Sequence, residues 1–160
     1  MLLYVNFDIV FQEIPNEVTL AVNISNCPNN CKDCHSPYLR ENAGEALNEN
    51  IIAAWIEKYG NAITCICFMG GDAEPREVER LAAFVQSASD RKIKTGWYSG
   101  KADLPEDIDL ASFDYIKLGA YVEHLGGLNR RTTNQRFYRI ENGTLTDMTD
   151  WFWRKHVKHN

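Results

Sequence analysis

The chain has 160 residues, is 44% apolar, and carries seventeen basic against twenty-two acidic residues, for a formal net charge of −5. This length predicts one domain, residues 1–160, and the acidic balance does not favour nucleic acid or an anionic membrane as a partner. No apolar run reaches membrane-spanning length, no basic n-region marks a signal peptide, and the five cysteines are an odd number with three clustered. That usage does not suit a disulfide framework, so we predict a cytoplasmic protein in a reducing compartment.

The first part of the chain predicts a strand pair followed by a helix. Apolar residues alternate with polar or smaller ones along 5–11 and 20–24, and Pro15-Asn16 between them is typical of a turn. Asn48 is suited to cap a helix whose apolar residues recur at helical spacing until Gly60.

Three nearly apolar segments further along predict buried strands at 63–69, 93–98 and 115–118. Pro75 is typical of a helix start and lies between the first two segments. Strands that alternate with helices favour an α/β fold with parallel core strands in right-handed βαβ units. At the end of the chain, acidic residues early and basic residues late in 146–155 predict a terminal helix.

The most informative motif follows the second predicted strand. Cys27, Cys31 and Cys34 crowd three thiolates onto one short segment, which suits a soft metal centre. A closed 4Fe-4S cubane normally takes four cysteine ligands, so three protein ligands leave one iron open to a small molecule. An open coordination position is the mark of a catalytic metal site rather than a structural one.

Further motifs follow other predicted strands at their carboxyl ends. These are Gly70-Gly71-Asp72, Ser99-Gly100 and Gly119. Parallel α/β folds place their active sites along this edge of the sheet. Backbone groups at Gly70 and Gly71, with the Asp72 carboxylate, are suited to hold a cationic amine, although an ordinary strand-to-helix turn is the alternative.

Together, the cysteine motif and the glycine motif resemble the radical S-adenosyl-L-methionine superfamily. The resemblance implies a partial (β/α) barrel with parallel core strands, open on one side, in which the three cysteines hold a 4Fe-4S cluster. It implies that S-adenosylmethionine chelates the open iron and that one electron from the cluster splits its sulfonium. Gly70, Gly71 and Asp72 would grip the methionyl amine, with Ser99 and Lys117 as contacts to the nucleoside or carboxylate. No catalytic acid or base is expected, because the cofactor supplies the abstracting species.

The second half of the chain looks like the tail of the activating proteins of anaerobic ribonucleoside-triphosphate reductase. The segments that carry this likeness are Gly119-Ala-Tyr-Val-Glu-His-Leu-Gly-Gly-Leu-Asn129 and Thr132-Thr-Asn-Gln-Arg-Phe-Tyr138, and the match runs from about residue 24 to residue 138. It implies an oxidoreductase that generates a glycyl radical on the large subunit of the reductase. The implied electron donor is a low-potential protein such as flavodoxin or ferredoxin.

Two departures from the family pattern leave residue assignments open. The usual motif runs Gly-Gly-Asp/Glu-Pro, whereas Ala73-Glu74 here separate Asp72 from Pro75, so either acid can stand in the acidic position. Some relatives carry Asp-Gly-Lys after the fourth strand, where this chain has Leu118-Gly119-Ala120, and Lys117 is the candidate for the missing cation.

Several alternatives remain at this stage. The chain could activate another glycyl-radical enzyme, such as pyruvate formate-lyase. It could instead be a zinc-stabilised binding module in which His35 is the fourth ligand, although structural zinc sites favour separated ligand pairs. Cys65 and Cys67 are interpreted as small buried hydrophobes. The adjacent Trp151, Phe152 and Trp153 favour core packing, with a docking surface for the reductase as the alternative.

Overall fold

The computed structural model describes residues 1–25 and 44–154, which build one mixed sheet of eight strands in the order β3-β1-β2-β4-β5-β6-β7-β8. The strands are β1 (Leu2–Val10), β2 (Thr19–Ile24), β3 (Glu45–Leu47), β4 (Cys65–Met69), β5 (Lys94–Tyr98), β6 (Tyr115–Leu118), β7 (Arg136–Glu141) and β8 (Thr144–Asp147). The α-helices of the described residues are α1 (Glu49–Tyr59) and α2 (Pro75–Ala88), with short 3-10 helices at Leu110–Ser112 and Thr149–Phe152.

The centre of the sheet is parallel and its flanks are antiparallel. Strands β2, β4, β5 and β6 run parallel, with Asn23 opposite Met69 and Tyr98 opposite Lys117. On one side β1 pairs antiparallel with β2 and β3, and on the other β7 pairs antiparallel with β6 and β8. The predicted strand pair at the start of the chain and the three predicted core strands are therefore confirmed.

The predicted partial (β/α) barrel is wrong. A barrel of that kind needs a helix after each parallel strand, whereas in the described residues only α1 and α2 are α-helices. The connection from β5 to β6 contains one 3-10 turn, and the last two strands form a hairpin. Asn142 and Gly143 make its turn with φ of 52° and 75°, the left-handed conformation that tight hairpins require.

The predicted terminal helix is also wrong, because residues 144–147 form β8 and residues 149–152 only a short 3-10 turn. The two internal helices are confirmed. The Asn48 side chain accepts a hydrogen bond of 3.0 Å from the Ile51 amide at the start of α1, and Pro75 occupies the first turn of α2. The first turn of a helix leaves amide donors without partners. Asn48 supplies an acceptor for one of these donors, and Pro75 has no amide hydrogen to satisfy.

The sheet has two different faces. Side chains alternate along each strand, so Ile66 and Phe68 of β4 join the apolar core beneath the helices. Cys65 and Cys67 point the other way, into a second cluster with Tyr98, Tyr115 and Phe137. We call this second side the open face, because neither α-helix packs on it. The candidate site lies at its edge.

The buried carboxylate of Glu17 joins β5, β6 and the residue before β4 by hydrogen bonds near the start of the parallel strands. Glu17 is 5% exposed and accepts hydrogen bonds from Thr64 Oγ1 at 2.6 Å, Lys94 Nζ at 3.0 Å and Tyr115 OH at 2.5 Å. Burial, followed by this hydrogen bond, raises the pKa of Tyr115, so its hydroxyl remains a donor. Glu17 is thus a structural acid with every oxygen engaged.

Removing this acid is expected to destabilise the fold. Glu17→Ala leaves the buried Tyr115 hydroxyl without its acceptor, and we expect the free energy of unfolding to fall by about 1–3 kcal/mol. Lys94→Met is the matched control, because the Lys94 side chain is half-exposed and its ion pair is worth under about 1 kcal/mol. Urea denaturation of both variants under anaerobic conditions measures the difference. Equal losses in the two variants would contradict the role given to Glu17.

Candidate functional site

The carboxyl ends of β4, β5 and β6 bring three of the predicted motifs together. The Gly70 amide donates to the Tyr98 carbonyl at 3.0 Å, and the Ser99 amide donates to the Lys117 carbonyl at 2.8 Å. The loops that begin at Gly70, Ser99 and Gly119 are therefore neighbours along one edge of the sheet. Placement at this edge follows from parallel pairing alone.

The turn after β4 requires its glycines. Gly70 and Gly71 have φ of 109° and 85°, a region that L side chains rarely adopt. A Cβ on Gly71 would lie 2.5 Å from Cγ2 of Val78, so helix α2 packs against the bare backbone. The Gly70 carbonyl accepts a hydrogen bond of 2.7 Å from the Trp97 indole, which holds the turn against β5. The backbone of this turn is thus fixed before any ligand binds.

Asp72 joins the loops that follow β4 and β5. Its Oδ1 accepts from Ser99 Oγ at 2.6 Å, and its Oδ2 accepts from the Gly100 amide at 2.9 Å. The carboxylate of Glu74 lies elsewhere, 2.5 Å from the N-terminal ammonium of Met1. Of the two acids that the sequence left open, Asp72 is therefore the one tied into the edge of the sheet.

Lys117 joins the loops that follow β5 and β6. Its buried ammonium donates to the carbonyls of Ser99 and Gly119, each at 3.0 Å, and lies 5.6 Å from the centre of the Tyr98 ring. The Gln135 amide also donates to the Gly119 carbonyl, at 3.2 Å. Asp72, Ser99 and Lys117, three of the predicted site residues, thus form one hydrogen-bonded chain. Their roles toward a ligand stay predictions.

A cavity of about 620 Å³ lies on the open face, at the carboxyl ends of β4, β5 and β6. Small-molecule sites span roughly 300–1,000 Å³, so its size suits a cofactor or small substrate. Strand ends and connecting segments line it, including Glu13, Met69, Tyr98, Lys117, Arg130 and Gln135. Sequence reasoning missed Glu13, which lies in the connection between β1 and β2. No apolar periodicity in that connection distinguishes its side chain, so the sequence offers no signal for it.

The wall of the cavity is completed by the C-terminal aromatic residues. Phe152 lines it and packs edge-on against Phe137, with ring centres 4.9 Å apart. Trp151 also contacts Phe137, and the Trp153 indole donates to the Leu128 carbonyl at 2.8 Å. All three aromatics make internal contacts, as the packing interpretation expects. A docking role for them stays a prediction.

Cys65 and Cys67 are fully buried on β4, which agrees with their interpretation as small apolar side chains. Burial raises the pKa of both thiols well above the usual range. The metal-binding form of cysteine is the thiolate, so these two residues are poor ligands. Within residues 1–25 and 44–154, no three His, Cys, Asp or Glu side chains gather closely enough to hold a metal.

Cys27, Cys31 and Cys34, like His35, lie outside the described residues. The chain leaves the described part at Ser25, directly after β2. Because β2 runs parallel to β4 and Asn23 pairs with Met69, this exit lies at the same edge as the Gly70 turn. The described part of the chain before residue 26 therefore ends at the edge of the sheet that carries the Gly70 turn.

Comparison with known families decides the nature of the metal centre. The sequence profile described as "4Fe-4S single cluster domain" matches residues 17–110, more than half of the chain. The matched region contains Cys27, Cys31 and Cys34, the Gly70 turn and Ser99. This chain belongs to the 4Fe-4S single cluster domain family. Searches of the curated proteins and of the solved structures found no match.

Membership in this family makes the chain an iron–sulfur protein with a 4Fe-4S cluster as its cofactor. The donor set fits that cofactor, since thiolates are the usual protein ligands of iron–sulfur clusters and the buried pair on β4 is excluded. An iron–sulfur cluster is compatible with an oxidoreductase. In the part of the chain that the structure describes, no helix is long and apolar enough to cross a bilayer.

Proposed function

We propose that this chain is a cytoplasmic radical S-adenosylmethionine activase that generates a glycyl radical on anaerobic ribonucleoside-triphosphate reductase. The observation that carries the proposal is the three-cysteine motif of the sequence inside a matched 4Fe-4S domain, and the described residues add a cavity of cofactor size at the carboxyl ends of the parallel strands. Three cysteine ligands would leave one iron of a bound 4Fe-4S cluster without a protein thiolate, and S-adenosylmethionine would bind at that iron. Cys27, Cys31 and Cys34 would hold the cluster.

A bound cluster would supply the electron that cleaves the sulfonium of S-adenosylmethionine, and the residues of this chain would position the cofactor and exclude water. The rigid turn at Gly70 and Gly71, braced by Asp72, would hold the methionyl amine through backbone and carboxylate oxygens. Asp72 already accepts from Ser99 and Gly100, so its orientation is set in advance. Preorganised contacts of this kind lower the cost of ordering a ligand.

Ser99 and Lys117 would contact the nucleoside or carboxylate end of the cofactor. The ammonium of Lys117 is buried at the cavity wall, where its charge is little screened by solvent. Its hydrogen bonds to the Ser99 and Gly119 carbonyls keep it at the junction of two loops. No side chain is assigned as acid or base.

The sequence that favours the reductase as partner surrounds Asn134, Gln135 and Arg136. The Asn134 amide donates to the Ala120 carbonyl at 3.0 Å, and Gln135 donates to the Gly119 carbonyl. These bonds fasten the segment before β7 to the loop that follows β6, next to the cavity. That position supports a role for the segment in admitting the glycine-bearing part of the large subunit. A low-potential flavodoxin or ferredoxin is the proposed electron donor.

Radical transfer to defined partners tests this function. The reconstituted protein, S-adenosylmethionine and a chemical reductant are incubated anaerobically with the reductase large subunit or with pyruvate formate-lyase. We expect the doublet signal of a glycyl radical in the electron paramagnetic resonance spectrum of the reductase sample alone. A glycyl-radical signal only in the pyruvate formate-lyase sample would show that the partner is that enzyme and not the reductase. Absence of both signals and of cofactor cleavage, in protein that contains zinc, would favour the binding module.

A further inference from the structure

Glu13 lies in the cavity wall on a segment that the sheet holds in place. The Tyr98 hydroxyl donates a hydrogen bond to the Glu13 backbone carbonyl, and the next residue, Ile14, is fully buried. These contacts fix the backbone at Glu13 against β5. The side chain lines the same cavity as Met69 and Lys117. Its position is therefore a product of the fold rather than of an unattached loop.

The carboxylate of Glu13 differs from that of Glu17 four residues later. Glu17 receives three hydrogen bonds, whereas within the described residues no hydrogen bond and no ion pair shorter than 4 Å reaches the Glu13 carboxylate. Burial raises the pKa of Glu13, and the nearby Lys117 ammonium acts in the opposite direction. A half-buried acid without hydrogen-bond donors is costly unless something else compensates its charge. Within the described residues, Glu17 has three hydrogen-bond donors, whereas the Glu13 carboxylate has only the attraction of the Lys117 ammonium.

Charge in the cavity is otherwise positive. Lys117 and Arg130 line it, and among the described lining residues Glu13 is the one acid. Asp72, the other acid at this edge, does not line the cavity and is directed to Ser99 and Gly100. The two carboxylates therefore lie in different places, that of Asp72 at the Gly70 turn and that of Glu13 in the cavity wall.

We propose that Glu13 is a further binding residue, whose carboxylate faces the sulfonium of S-adenosylmethionine in the cavity. This rests on the proposed function, in which the methionyl amine of that molecule is held at the Gly70 turn. The assignment places an acid opposite the sulfonium, the permanently charged centre of the cofactor. Glu13 would then determine ligand selectivity, because its carboxylate attracts the charged sulfonium more strongly than the neutral thioether of S-adenosylhomocysteine.

Comparison of these two ligands tests the proposal. Dissociation constants are measured by anaerobic isothermal titration calorimetry on the reconstituted protein, for the wild type and Glu13→Gln. We expect the isosteric Glu13→Gln to weaken S-adenosylmethionine binding about tenfold, as loss of one partly screened charge pair predicts, and S-adenosylhomocysteine binding less than about twofold. Glu13→Asp keeps the charge and is expected to recover part of the lost selectivity.

Glu57→Gln is the matched control, because it removes one exposed acid from α1, on the other side of the sheet. It should leave both dissociation constants unchanged. Iron content and thermal midpoint of Glu13→Gln should equal those of the wild type. If the wild type binds S-adenosylmethionine but Glu13→Gln weakens the binding of both ligands equally, or of neither, the role of Glu13 is overturned and the proposed cofactor is not. A wild-type protein that binds neither ligand would overturn the proposed function itself, and Glu13's role with it.

Discussion

Alanine at any one of Cys27, Cys31 or Cys34 is expected to abolish cluster retention and reductive cleavage of S-adenosylmethionine. With only two thiolates left, the cluster loses one of its three protein ligands, and thiolates are the usual protein ligands of such clusters. Iron and sulfide should fall to background, and so should 5′-deoxyadenosine production measured by liquid chromatography. Circular dichroism should show that the sheet persists.

The matched controls are the two remaining cysteines. Cys65→Ala and Cys67→Ala remove thiols that are fully buried in the second apolar cluster and whose pKa burial raises. These variants should keep the cluster and cleavage activity while losing on the order of 1 kcal/mol of stability from the smaller buried volume. Cluster retention in even one variant of the Cys27, Cys31 and Cys34 set would contradict the ligand assignment.

Asp72→Ala is expected to weaken S-adenosylmethionine binding by roughly tenfold to a hundredfold. Its carboxylate ties Ser99 and Gly100 to the turn after β4, and each hydrogen bond to a charged group is worth about 1.5–3 kcal/mol. Without the Asp72 carboxylate, the proposed site for the methionyl amine loses both its negative charge and its fixed geometry. Binding is measured by the change that added S-adenosylmethionine produces in the spectrum of the reduced cluster, titrated over concentration.

Glu74→Ala separates the two acids of the motif. Glu74 pairs with the N-terminal ammonium of Met1, whereas Asp72 accepts hydrogen bonds from the loop after β5. Its removal should change the affinity by less than about twofold, as is usual for a partly exposed ion pair. A larger loss in Glu74→Ala than in Asp72→Ala would show that Glu74 fills the acidic position instead.

The central strands and both α-helices were predictable because their signals are local. Buried parallel strands such as β4 are continuous apolar runs, and α1 carries its own cap in Asn48. The architecture was not predictable, because the flanking strands depend on pairing with distant segments. In β7 and β8 most side chains are only partly buried, so no continuous apolar run indicates these strands, and the end of β8 was included in the predicted terminal helix.

The site was predictable to the extent that it follows strand ends. Parallel pairing places Asp72, Ser99 and Lys117 together whatever the rest of the fold does. Glu13 was missed because it belongs to the connection between β1 and β2, where no periodicity indicates which side chain faces the cavity. Its role depends on contacts with Tyr98 and Lys117 that are 85 or more residues away in sequence.

In the proposed function, Cys27, Cys31 and Cys34 hold a cluster whose open iron takes S-adenosylmethionine. The most direct measurement is the electron paramagnetic resonance spectrum of the anaerobically reconstituted and reduced protein, recorded with and without that cofactor. We predict a reduced 4Fe-4S signal whose shape changes when S-adenosylmethionine is added. A protein that gives no cluster signal and contains stoichiometric zinc would contradict the account.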